Sequence, residues 1–315
     1  MDSETILIIG ANGQIGSVLT EALRAKYPKQ TVLATDIREP ESPSGPFTLL
    51  NVLDKDALEE LVSSHRVSQI YHLAAILSAK GELDPLRTWD INMQSLFNVL
   101  EVARTKAVKK VFFPSSIAVF GPEANKKNTD QFEALTPRTV YGISKVAGEN
   151  WCQYYFDRYG LDVRSVRYPG IIGHQSMPGG GTTDYAVEIF HEAIKNQSYS
   201  CFLNRDTRLP MMFMEDAIRA TISIMDAPAE QVKIRSSYNL AGMSFTPEEL
   251  AEEIQKHIPD FKISYAPDHR EQIARSWPES INDQSARTDW NWQEKYDLAR
   301  LTETMIRELK AKILV

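Results

Sequence analysis

Tyr141 and Lys145 stand four residues apart in Tyr141-Gly142-Ile143-Ser144-Lys145, so a helix there sets both side chains on one face, a turn from each other. An ammonium held beside a phenol favours the phenolate, which predicts Tyr141 drawn down from an ordinary pKa of about 10 toward working pH. A tyrosine so placed is a general base. Upstream, Pro114-Ser115-Ser116 follows the apolar run Val111-Phe112-Phe113, setting hydroxyls at the carboxyl end of a buried strand, where open α/β sheets hold their ligands. Tyr-x-x-x-Lys pairs arise by chance, so this one draws its weight from the elements ahead of it.

The first of those is Thr5 to Ile9, a continuous apolar strand leading into Gly10-Ala11-Asn12-Gly13-Gln14-Ile15-Gly16 and then a helical pattern from Ser17 to Leu23. Glycines at a strand-to-helix turn let backbone approach a pyrophosphate, and the helix start offers free N–H groups and a positive dipole end. The spacing is Gly-x-x-Gly-x-x-Gly. The next strand, Thr31 to Thr35, ends in Asp36, 20 residues beyond Gly16. An acid there accepts the ribose hydroxyls and repels a 2′-phosphate, favouring NAD over NADP. Arg38 is the counterweight, able to meet such a phosphate or to lie over an adenine.

Asn51 to Asp54 is expected to close a third strand and start a helix from Lys55 to His65, with Asp54 as N-cap and Val52 and Leu53 flanking the adenine. Ser68 to Ala75 reads as the fourth strand, with His72 structural inside it and Ser78 just beyond it, where a substrate would lie. The helices Asn92–Ala103 and Tyr141–Tyr159 carry apolar residues on more than one side. They are read either as buried within one subunit or as a four-helix contact of a homodimer. Val163 to Tyr168 is the sixth strand.

Strands alternating with helices indicate a doubly wound parallel sheet. After Gly173 a loop from His174 to Asp184, containing Met177-Pro178-Gly179-Gly180-Gly181-Thr182-Thr183, carries no charge before Asp184. It is read as a flap over a small polar ligand or as a linker. Helices Glu188–Asn196 and Glu215–Met225, an extended Leu209–Met214, a strand Ser237–Leu240 and a helix capped by Thr246 with Pro247 complete the pattern. The expected fold class is α/β: a Rossmann domain over 1–172 with 212–240 returning to it, and a smaller, sequence-interleaved α/β lobe for substrate over 173–211 and 241–315.

Composition bounds the function. At 315 residues and 43% hydrophobic content the chain can bury a large core. A net charge of −7 argues against nucleic-acid or anionic-membrane partners, and no apolar run nears the roughly 20 residues of a membrane span. Two cysteines, Cys152 and Cys201, make neither a disulfide framework nor a metal set, so no metal is expected. With no leader pattern after Met1-Asp2-Ser3-Glu4, the expected location is the cytoplasm.

Gly10-x-x-Gly13-x-x-Gly16, Asp36, His72-Leu73-Ala74-Ala75, Asn92, Ser115-Ser116-x-x-Val119-Phe120-Gly121, Tyr141-x-x-x-Lys145 and Arg167-Tyr168-Pro169-Gly170 together resemble an extended short-chain dehydrogenase/reductase, in that family's order along the chain. Within it, Ala75-Ile76-Leu77-Ser78-Ala79, Tyr168-Pro169-Gly170-Ile171-Ile172, Gly179 to Ala186 and Ser276-Trp277-Pro278 are similar to the short-chain L-threonine 3-dehydrogenases. Many of those carry Thr where Ser116 stands. Sugar-nucleotide epimerases and dehydratases usually have Asn in place of Gly170 and an arginine-led run in place of Pro210 to Met214, which sets that alternative second. A non-catalytic NAD-sensing regulator is third, because Ser116, Tyr141 and Lys145 are all present.

The resemblance implies oxidation of L-threonine at C3 to 2-amino-3-oxobutyrate by NAD, with Tyr141, Lys145 and Ser116 catalytic. It implies that Gly10, Gly13, Gln14, Ile15, Gly16, Asp36, Ile37, Arg38, Val52, Leu53, Leu73, Ala74, Ala75, Asn92, Ser115, Tyr141, Lys145, Tyr168 and Ile171 hold the cofactor. Ser78, Ser116, Tyr141, Gly181, Thr182, Thr183 and Trp277 would hold the substrate.

Overall fold

The run Thr5 to Ile9 forms β1 (Thr5–Ile9), buried along its whole length as a strand covered on both faces must be. The computed structural model describes residues 4–42, 44–177 and 179–313; Met1 to Ser3 of the N-terminal reading and Pro178 of the glycine-rich loop lie outside the described residues. The chain continues through α1 (Gln14–Lys26), β2 (Thr31–Asp36), β3 (Phe47–Leu49), α2 (Lys55–Ser64), β4 (Val67–His72), α3 (Ser78–Gly81), α4 (Pro85–Thr105), β5 (Lys110–Ser116), α5 (Val140–Tyr159) and β6 (Asp162–Tyr168). The second half holds β7 (Gly170–Ile172), α6 (Tyr185–Asn196), β8 (Ser198–Cys201), β9 (Leu209–Phe213), α7 (Met214–Asp226), β10 (Tyr238–Asn239), β11 (Met243–Phe245), α8 (Pro247–Gln255), β12 (Lys262–Tyr265), α9 (His269–Ser276), α10 (Gln284–Trp290) and α11 (Leu298–Ile313).

Seven strands pair in the order β10-β6-β5-β4-β1-β2-β3, and every pairing is parallel. Successive residues of β1 face opposite sides. Ile6 and Ile8 pack with Leu19 and Leu23 of α1 and Ala217 and Ile224 of α7, whereas Leu7 and Ile9 pack with Leu58 of α2, Leu96 of α4 and Cys152 of α5. The result is a doubly wound sheet of the Rossmann type. Its strand order reverses between β1 and β4, the place where such sheets open a crevice at their carboxyl ends.

A second body of structure stands beside this sheet. β7, β9 and β11 form a three-stranded sheet and β8 with β12 a two-stranded one. Their core joins Phe190 of α6, Leu250 of α8, Ala274 of α9 and Leu301 of α11. One stretch assigned by sequence to the smaller lobe packs elsewhere: Ala286, Trp290 and Trp292 sit with Tyr238 and Met225 against the large sheet. Helix α8 carries the expected cap, Thr246 and Glu249 exchanging hydrogen bonds in a capping box with Pro247 in the first turn.

Two strand assignments differ from expectation. The third strand is Phe47–Leu49, and Asn51 to Asp54 is a turn in which the Asp54 N–H donates to the Asn51 carbonyl at 2.9 Å. That turn still delivers Asp54 as the N-cap of α2, accepting from the Ala57 N–H at 3.0 Å. The fourth strand stops at His72, and Leu73 to Ala75 leave the sheet as a loop. A strand must find ladder partners, and β1 ends opposite His72.

Candidate active site

The turn after β1 is shaped by what its glycines exclude. Gly10 lies at φ +86°, a left-handed conformation, and a Cβ there would meet the Ala74 backbone nitrogen at 2.7 Å. A Cβ on Gly16 would stand 2.2 Å from the Gly10 carbonyl oxygen. Helices α2, α4, α5 and α8 begin with a side chain accepting a backbone N–H. Helix α1 follows Gly13, which offers no side-chain cap, so its first amides are open toward an anion.

A cavity of about 230 Å³ begins at that turn. Its walls include Gly10, Gly13, Gln14, Ile15 and Gly16 at one end, Leu73, Ala75, Ser115, Tyr168 and Ile171 along the middle, and Ser116, Tyr141 and Lys145 beyond. Ser78, Gly181, Thr182, Thr183 and Trp277 close the far end. Every residue expected to touch substrate and all three expected catalytic residues therefore meet in one space. Ser78 and Thr182, distant in sequence, bring their hydroxyls to 3.5 Å.

Asp36 lies beside this cavity, at the tip of β2. Its carboxylate accepts the Asn12 N–H at 3.0 Å and the Arg38 N–H at 3.3 Å. The turn holding Val52 and Leu53 is drawn alongside, the Leu50 N–H donating to the Asp36 carbonyl at 2.9 Å. Ile37, Arg38 and Leu53 are exposed here, and Val52 is buried. The uncapped amides, the carboxylate beyond them and the apolar rim form a set into which a dinucleotide fits: anion acceptor, ribose acceptor and adenine flank in sequence.

Asn92 and Ala74 do not line the cavity. Asn92 instead pins the loop after β4, accepting the Ile76 N–H at 2.8 Å and donating to the Ile76 carbonyl at 3.1 Å and to Ser144 Oγ at 3.3 Å. His72 is buried and faces Ser95 Oγ at 3.2 Å; burial, with the Lys145 charge as a lesser cause, lowers its pKa to about 3. It is a structural histidine.

Tyr141 corrects the expectation drawn from its spacing. The Thr139 hydroxyl caps α5 by accepting the Gly142 N–H at 3.1 Å, and the helix does set Tyr141 and Lys145 on one face. Burial nevertheless pushes the phenol up to about 12, with a Ser116 hydrogen bond working against it. Burial likewise brings the Lys145 ammonium down to about 8. Lys145 Nζ donates to the Pro114 carbonyl at 2.7 Å and lies 4.5 Å from the Phe113 ring centroid and 5.4 Å from that of Tyr141. Removal from water outweighs the charge pairing that sequence spacing suggested.

Other cavity residues escaped the sequence reading. Asp184 accepts the N–H groups of Gly180 at 2.7 Å and Gly181 at 2.6 Å, fixing the loop that presents Thr182 and Thr183. The signal was present, as the first charge after the glycines. Gly170 is needed because a Cβ there would meet Met211 Sδ at 2.3 Å and Thr183 Cγ2 at 2.8 Å. A larger residue would push the threonine loop away from the cavity. Leu77, Ile117 and Pro169 also line the space, with no sequence signal beyond proximity to named motifs. Among the described residues no group of three or more His, Cys, Asp or Glu side chains could hold a metal, and no helix is long and apolar enough to cross a membrane.

Comparison with known proteins bears on this site directly. Residues 6–241 match the NAD dependent epimerase/dehydratase family. The chain is 47% identical over 314 residues to an uncharacterized epimerase/dehydratase of Staphylococcus haemolyticus, covering 98% of each chain. Among solved structures, it is similar to the GalE-like L-threonine dehydrogenase of Cupriavidus necator in its holo form, with a TM-score of 0.95, 50% identity and coverage of 97% of this chain and 99% of that one. It is similar also to a monomeric L-threonine 3-dehydrogenase of metagenomic origin, with a TM-score of 0.95, 49% identity and coverage of 98% and 99%.

Proposed function

The chain belongs to the NAD-dependent epimerase/dehydratase family, and from this premise we propose that it oxidises L-threonine at C3 to 2-amino-3-oxobutyrate, a step in breaking that amino acid down. The observation that carries the reading is the meeting of Ser116, Tyr141 and Lys145 with Ser78, Thr182 and Thr183 in one cavity of about 230 Å³. A proton acceptor and several hydroxyls lining one space suit a hydroxy amino acid.

Gly10 to Gly16 and the first amides of α1 would hold the pyrophosphate of NAD, with Asp36 on the adenosine ribose. NAD, when bound, would supply the hydride acceptor and a positive charge to the site. The Tyr141 oxygen then takes the proton of the substrate hydroxyl. Because burial holds the phenol near 12, the phenolate is the rarer form at neutral pH, and added positive charge beside it raises the rate. Ser116, which lines the same cavity and favours the Tyr141 phenolate, would hold the same substrate oxygen.

Ser78, Thr182 and Thr183 would receive the carboxylate and amine, with Gly181 lining that end and its N–H held by Asp184. Neutral donors suffice, since a hydrogen bond to a charged group is worth roughly 1.5–3 kcal/mol. Trp277, 6% exposed, excludes water from that end. In this reading residues 1–172 and 212–240 serve the cofactor and 173–211 with 241–315 the substrate, apart from the Ala286 to Trp292 stretch. Leu86, Trp89 and Trp151, apolar yet exposed on α4 and α5, would form the contact of a homodimer, which light scattering of the purified protein tests. The buried free thiols of Cys152 and Cys201 suit a reducing cytoplasm.

The decisive experiment is NADH formation with L-threonine, L-allo-threonine, D-threonine, L-serine and a UDP-sugar, using the protein and its Tyr141→Phe variant. L-Threonine alone should respond strongly, and the variant should lose about 10²–10⁴-fold in kcat with NAD affinity unchanged within a few-fold. Turnover of the UDP-sugar in place of L-threonine, or a variant of near-normal activity, overturns the reading.

A further inference from the structure

Beneath the cavity lies a buried ion pair that the mechanism above does not use. Glu149, one helical turn beyond Lys145 on α5, is 1% exposed, and Arg167 of β6 is 3% exposed. The pairing is bidentate, Nε to Oε1 at 2.9 Å and Nη2 to Oε2 at 2.8 Å. The Ser115 hydroxyl donates to the same Oε1 at 2.5 Å. Arg167 is committed on its other side too, donating from Nη1 to the Gln131 carbonyl at 2.9 Å and to Asn239 Oδ1 at 3.1 Å.

Two features of this arrangement matter for the site. Lys145 and Glu149 have the i, i+4 spacing at which helical lysines and glutamates pair. Lys145 nevertheless donates to Pro114, while Glu149 is held by Arg167. The group that holds Ser115 also fixes the strand end on either side of it, and that strand end supplies both the Pro114 carbonyl that receives Lys145 and the Ser116 hydroxyl that meets Tyr141. A buried charge pair is no net stabiliser by default, because desolvation opposes its attraction. Its retention here has a reason if it tunes the chemistry.

We propose that Arg167 and Glu149 are positioning residues: by binding Glu149 on two prongs, Arg167 withholds that carboxylate from Lys145 and leaves the ammonium's charge directed at Tyr141. The inference rests on the reading of Tyr141 as the base. Other groups face this pair of side chains as well. His72 of β4 is kept neutral by burial, its pKa lowered to about 3. The Cys152 thiol on α5 is pushed well above its ordinary range by burial. Asp184 lines the cavity with its carboxylate on the Gly180 and Gly181 amides. The charges whose balance can be altered without entering the cavity are therefore Glu149 and Arg167.

The test titrates Tyr141 in the NAD-loaded protein by tyrosinate absorbance, each variant read against its own Tyr141→Phe partner. No substrate is needed, so the outcome is independent of whether L-threonine is the substrate, and a missing titration in the parent protein would instead indict Tyr141 as the base. Glu149→Gln leaves Arg167 unopposed and should move the Tyr141 titration down by about one pH unit, whereas Arg167→Met frees Glu149 toward Lys145 and should move it up by about as much. The double variant, with both charges gone and volumes kept, should titrate within about 0.3 pH units of the parent, a margin small against that shift; it also guards against a single variant that fails to fold. Opposite shifts that cancel in the double variant support the proposal. Equal or same-direction shifts, or a double variant as perturbed as either single one, assign the pair a packing role and overturn it.

Discussion

The two ends of the cavity are built on different principles. At the glycine-turn end the walls are largely backbone: a left-handed Gly10, a Gly16 with no room for a Cβ and a helix start without a side-chain cap. At the far end they are side chains drawn from segments far apart in the chain, Ser78, Thr182, Thr183 and Trp277, held by a loop whose shape depends on one carboxylate. Backbone walls follow from a short local pattern and tolerate little change. Side-chain walls follow from tertiary structure and change by degrees, which is where one fold can alter its substrate.

That contrast can be broken from either side. The largest effect is expected of Gly16→Ala, whose Cβ would fall 2.2 Å from the Gly10 carbonyl oxygen. NAD affinity should drop about 100-fold or more, near 2.7 kcal/mol, with a lower Tm, read by titration calorimetry and thermal unfolding. A variant that binds NAD normally would show the turn to be less constrained than drawn. Next, Asp184→Ala removes the acceptor of two amides and should raise KM for L-threonine about tenfold, near 1.4 kcal/mol, while NAD affinity stays within a few-fold. Equal losses for both ligands would erase the distinction between the two ends. The smallest effect is expected of Asp36→Asn, which keeps a hydrogen-bond acceptor but removes the charge. It should weaken NAD by only a few-fold and relax the bias against NADP, read as the ratio of kcat/KM with the two cofactors.

The same division explains what the sequence made legible. The turn at Gly10 to Gly16, the acid at Asp36 and the helix carrying Tyr141 and Lys145 are contiguous patterns whose geometry follows from strand and helix periods, and the structure places them as those periods require. For Tyr141, spacing reports which charges are near and not how much water is lost, and in this structure burial raises the phenol. Asn92, assigned to the cofactor, holds the Ile76 backbone, a role set by the path of a loop that no local pattern encodes. Asp184 was visible as a lone charge. Its partners, the Gly180 and Gly181 amides, became evident only once the loop had a shape.

The pairing of β10 with β6 has a consequence for how the protein is made. β6 ends at Tyr168 and its outer neighbour begins at Tyr238, with the whole of α6 and α7 between them. During synthesis at roughly 5–20 residues per second, the nascent sheet therefore leaves the ribosome with one parallel edge uncovered for several seconds, and that edge is where a chaperone, or an aggregating neighbour, would first take hold.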